Sequence, residues 1–116
     1  MNTKYPLTLN DGKEVELSLN FAMLYRLRAE HKDIYDKYMK IKNNLKTADD
    51  LDAAYILYTA YCCANPENNI EFVDFLVLLP PDNAVIYNLF GKLIAPSKMN
   101  KGFRSGVSKS NRKNKQ

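Results

Sequence analysis

Few residues in this 116-residue chain have the type and spacing that covalent chemistry requires. There is one histidine, His31, and there are two cysteines, Cys62 and Cys63, which are adjacent. A Ser-His-Asp or Cys-His arrangement needs an imidazole beside the nucleophile. Only His31 offers one, and it falls on the apolar stripe of a helical pattern, where a packed ring is expected. Adjacent cysteines inside a helical pattern read as buried, inert thiols, and further ligands at metal-site spacing are missing. Asp49, Asp50 and Asp52 cluster at what reads as a helix start, where the helix dipole favours carboxylates. No G-x-S-x-G, G-x-x-x-x-G-K-S/T, H-E-x-x-H or G-x-G-x-x-G occurs. The expectation is a protein that is not an enzyme, with no catalytic residue, cofactor or metal.

What remains is the chemistry of contact. Residues 97–116 carry seven basic side chains, Lys98, Lys101, Arg104, Lys109, Arg112, Lys113 and Lys115, and no acid. Residues 1–96 hold ten basic and thirteen acidic residues, a net charge of −3. The overall +4 is therefore the property of a tail, and a mildly acidic body is a poor nucleic-acid binder. Such a tail can neutralise phosphates, but its one aromatic, Phe103, gives no stacking platform. Nucleic-acid binding through the basic tail is the alternative reading, and a weak one.

Apolar contact is the stronger signal. From Ala53 to Ala64 (AAYILYTAYCCA) only Thr59 lacks apolar character, and from Ile70 to Leu79 (IEFVDFLVLL) only Glu71 and Asp74 are polar. A helix that is apolar all round must be covered all round, and 96 residues supply few layers to do so. The second helix reads as the central core helix. On the third, Phe72, Phe75, Leu76 and Leu79 are assigned to the core. Val73 and Val77 fall on another side, as an exposed patch of the kind that marks protein–protein surfaces. Tyr55, Tyr58 and Tyr61 recur every three residues and combine contact area with a polar handle. Tyr55, Tyr58, Tyr61, Val73 and Val77 are thus the candidate partner-binding residues, for another protein or for a second copy.

The positioning elements follow from periodicity. Tyr5, Leu7 and Leu9, then Val15, Leu17 and Leu19, alternate with polar residues on either side of Asn10-Asp11-Gly12. A three-residue loop with Gly12 at positive φ pairs Leu7 with Val15 and Tyr5 with Leu17 on one face; a two-residue loop would split the faces. Helices are expected over about 21–45, 48–64, 70–79 and 82–95. Leu24, Leu27, His31, Ile34, Tyr38, Ile41 and Leu45 alternate spacings of three and four along the first, which would be about 37 Å long. A break near His31-Lys32-Asp33 would give two shorter helices instead. Asn20 reads as the first N-cap, and Thr47 with Asp50 as the start of the second helix. The fold class is α+β, mainly helical, with an N-terminal hairpin. One globular domain spans 1–96, followed by a flexible basic tail over 97–116. No apolar run reaches the roughly 20 residues of a membrane span. The N-terminal MNTKYPLTLNDGKE has no signal-like apolar stretch, and a reducing, cytoplasmic setting is expected.

The order of these features resembles a known family. The hairpin L-T-L-N-D-G-K-E-V-E-L is followed by a helix opening N-F-A-M-L-Y-R-L and then by an acidic-headed helix. Next come I-E-F-V-D-F-L-V-L-L-P-P-D, a last helix and the basic K-M-N-K-G-F-R-S. Over about residues 5–104 this looks like the tail assembly chaperones of long-tailed bacteriophages, particularly those of Gram-positive hosts. The resemblance implies a small non-enzymatic protein of the host cell cytoplasm, absent from the mature virion. It implies a tape measure protein as partner, kept soluble while the tail tube polymerises around it. It also implies a longer, frameshifted form whose extension recruits tail tube protein. No site residue is carried over from the family.

Overall fold

The alternating segments at the start of the chain pair as an antiparallel hairpin, β1 (Tyr5–Thr8) with β2 (Glu14–Leu17). The structure is a computed structural model that describes residues 4–67 and 70–94. The register is Tyr5 opposite Leu17 and Leu7 opposite Val15, as the parity of the three-residue loop requires. Gly12 closes that loop at φ 86°, with its N–H donating to the Leu9 carbonyl at 2.9 Å. A residue with a side chain would be strained there. Leu7, Leu9 and Leu17 enter the core, with Tyr5 and Val15 packed beside them.

Five helices follow: α1 (Phe21–Glu30), α2 (Lys32–Lys42), α3 (Asp50–Ala64), α4 (Phe72–Leu78) and α5 (Asn83–Ile94). A short 3-10 turn at Leu45–Thr47 leads into α3. Asn20 caps α1, its side chain accepting from the Met23 N–H at 2.9 Å. The single helix expected over 21–45 is two, broken at His31, whose backbone leaves the helical region at φ −141°, ψ 67°. The chain folds back there. Phe21 and Lys42 line one groove, although a straight helix would hold them about 32 Å apart. The 3-4 stripe survives the break, because Leu24 and Leu27 from one half and Tyr38 and Ile41 from the other are all buried. His31 is half-buried at the corner rather than packed within a continuous seam.

The cap of α3 also differs from expectation. Asp49 accepts from the Asp52 N–H at 2.9 Å, and Asp52 accepts from the Asp49 N–H at 3.1 Å, a reciprocal capping box two residues beyond the Thr47–Asp50 pair. Thr47 instead donates its hydroxyl to the Asn44 carbonyl. As expected, α3 is the central helix: every residue from Ala53 to Cys63 is buried, under β2, α1, α2, α4 and α5. Thr59, its one polar interior residue, donates to the Tyr55 carbonyl at 2.8 Å. On α5, Ile86, Leu89 and Leu93 form the buried stripe.

Candidate partner-binding surfaces

The sequence of α4 puts Phe75 and the two valines on different sides of one short helix, and the fold keeps them so. Phe75 is fully buried against the rings of Tyr58 and Tyr61, with centroids 5.5 and 5.3 Å away. Phe72 lies edge-on to Tyr55 at 4.7 Å and beside Tyr58 at 5.3 Å. Tyr58 also donates its hydroxyl to the Ile70 carbonyl at 2.7 Å, tying down the segment that enters α4. Val73 and Val77, one turn apart, point outward with 64% and 71% of their surface exposed. The C-terminal end of the helix is held by the hairpin loop. Asn10 donates its side-chain amide to the carbonyls of Val77 (3.1 Å) and Leu79 (2.8 Å), and its N–H to that of Leu78 (2.8 Å). These are carbonyls that a helix end leaves unpaired. Asn10, read from sequence as a turn residue only, therefore positions the valine face.

Tyr55, Tyr58 and Tyr61 are not on that face. All three are buried, and their rings form the bed on which Phe72 and Phe75 lie. Tyr55 and Tyr58 help to line a groove of about 380 Å³, together with Asp33, Glu71 and Asp74. The Lys37 ammonium stands over the Tyr55 ring, 4.8 Å from its centroid. The tyrosines thus support the valines rather than join them.

A second exposed surface was missed in the sequence. Phe21 and Tyr25, four residues apart on α1, are 88% and 67% exposed. With Leu24, Tyr35, Tyr38 and Met39 they line a groove of about 280 Å³ between α1 and α2. Its cations are held on aromatic faces: the Arg28 guanidinium lies 5.7 Å from both Tyr25 and Tyr35, and the Lys42 ammonium 5.9 Å from Tyr38. The signal was the i, i+4 pair Phe21/Tyr25, which lies off the Leu24/Leu27 stripe.

The groups singled out for chemistry sit as follows. Cys62 and Cys63 are buried and free, and burial pushes their thiols up to about 11 and about 12. Neither supplies a thiolate near neutral pH. Asp49 and Asp52 cap α3, while Asp50 accepts a hydrogen bond from the Tyr87 hydroxyl. Among the described residues, no group of three His, Cys, Asp or Glu side chains converges in a way that could hold a metal ion, and no helix is long and apolar enough to cross a membrane. The basic residues Lys98, Lys101, Arg104, Lys109, Arg112, Lys113 and Lys115 lie outside the described residues, as does the flexible tail expected to carry them. Comparison of the chain with known protein families, with curated proteins and with solved structures finds no match.

Proposed function

We propose that this protein is a non-enzymatic assembly chaperone of the long-tailed phage type, which holds a tape measure protein soluble in the host cytoplasm while the tail tube forms. The observation that carries the reading is the valine face of α4. Two β-branched apolar residues one turn apart are left in water on a helix clamped from both sides, by the tyrosine bed and by Asn10. Such a surface is rigid, narrow and apolar, and suits the apolar stripe of a helical partner laid across it. The order of elements that resembles the phage chaperones supports the identity of that partner. Each contact is small, so binding by one copy is weak. Many copies along one long partner gain avidity and still release it when the tube arrives.

Co-expression with a tape measure fragment tests this. Val73→Asp combined with Val77→Lys is expected to remain folded, since exposed positions away from packing features usually cost less than about 0.5 kcal/mol each. The fragment should then be lost to the insoluble fraction. Phe75→Ala is the contrast, expected to cost about 3 to 5 kcal/mol because it empties a fully buried site. If the double variant folds and still keeps the fragment soluble, the valine face is not the binding surface. If the wild-type chain fails to solubilise the fragment, the chaperone reading itself fails.

A further inference from the structure

We propose that the groove between α1 and α2 is a socket for a second copy of this chain, which inserts Leu51 from the first turn of its α3. The socket is apolar at its floor and cationic at its ends. Phe21, Tyr25 and Met39 line it together with Arg28 and Lys42, and no carboxylate is among its lining residues. Its volume, about 280 Å³, equals the share of roughly nine liquid waters, enough for a branched four-carbon side chain. The chain carries a side chain of matching chemistry. Leu51 is 59% exposed, and Asp49, Asp50 and Asp52 surround it in sequence on the same turn. An exposed leucine flanked in sequence by aspartates complements an apolar slot lined also by a guanidinium and an ammonium, and such complementarity fixes partner and register.

The contact is weak by size. One side chain in one slot buries far less than the roughly 1,200 Å² at which stable interfaces begin. It therefore acts where copies are already crowded, as they would be along a shared partner, and it weakens with salt because exposed charges contribute to it.

Sedimentation of the full-length chain, with no other protein present, tests the proposal independently of the chaperone reading. The wild type should gain average mass as concentration rises towards about 1 mM, the range of weak encounters, and lose it again on addition of salt. Phe21→Ser with Tyr25→Ser removes the socket, and Leu51→Gln removes the inserted side chain. Each variant should melt like the wild type, since only exposed groups change, and each alone should stay monomeric. An equimolar mixture of the two should pair again, because one copy still offers the leucine and the other the slot. A wild type that stays monomeric throughout overturns the proposal. So does a variant that associates as the wild type does, or a mixture that fails to pair.

Discussion

At the scale of single residues, burial decides what Cys62 and Cys63 can do. Their thiols are held protonated, at about 11 and about 12, mainly because the charged form would lose its water. Tyr38 and Tyr55 are pushed up to about 12 for the same first reason. The folded pKa of each lies above its unfolded value, so the native state keeps protons that the unfolded state releases. Stability is then at its full value below pH 9 and falls as pH climbs from the unfolded thiol value of 9 towards 12. Urea melts at pH 8 and at about pH 10.5 should show a lower midpoint at the higher value, which lies between the unfolded and folded pKa values. Alkylation with iodoacetamide at pH 8 should be far slower in buffer than in urea; equal rates would mean the thiols are not buried as described. That these cysteines are buried was legible in the sequence, because they sit in a run, Ala53 to Ala64, with no polar face to bring them to water.

At the scale of elements, legibility followed how local the deciding force was. The hairpin could be read in full because side-chain parity and one glycine fix its register. The break at His31 could be read only as an alternative to one long helix, since no proline or glycine marks it and the 3-4 stripe runs on unbroken. What turns the chain there is tertiary: both halves of the stripe gain cover by folding back over α3, as the burial of Leu24, Leu27, Tyr38 and Ile41 shows. The start of α3 lay between these cases. Thr47 with Asp50 has the spacing of a capping box in the sequence, but the structure gives the box to Asp49 and Asp52. Asp49→Ala should therefore cost about 0.5 to 2 kcal/mol, the usual loss for an N-cap. Thr47→Ala should stay within about 0.5 kcal/mol, as an exposed change away from packing. Thermal melts of the pair decide it, and the reverse ranking would move the cap back to where the sequence suggested.

At the scale of the whole molecule, the candidate surfaces divide by how many elements build them. The valine face could be read because one helix carries it. The Phe21/Tyr25 groove could not, because it exists only once α1 and α2 fold back on each other. Charge is the remaining large-scale feature, −3 over residues 1–96 against +7 over residues 97–116. The core cluster runs from Leu7 to Leu93, so cutting the chain after Pro96 removes none of it. The melting temperature of the cut chain should stay within about 5 °C of the full chain, a shift that corresponds to roughly 1 kcal/mol in a domain this size. The same cut should abolish binding to a mixed-sequence DNA duplex, since it leaves the acidic part alone. With the tail present, the affinity should fall with salt on a log–log slope no steeper than about −6, the limit for seven neutralised phosphates. Retained DNA binding by the cut chain at about 0.2 M salt, where non-specific electrostatic binding is largely lost, would place a nucleic-acid site on the folded body. That result would favour the nucleic-acid reading over the chaperone one. Loss of binding together with an unchanged melt would leave the valine face and the aromatic groove as the surfaces through which the body acts.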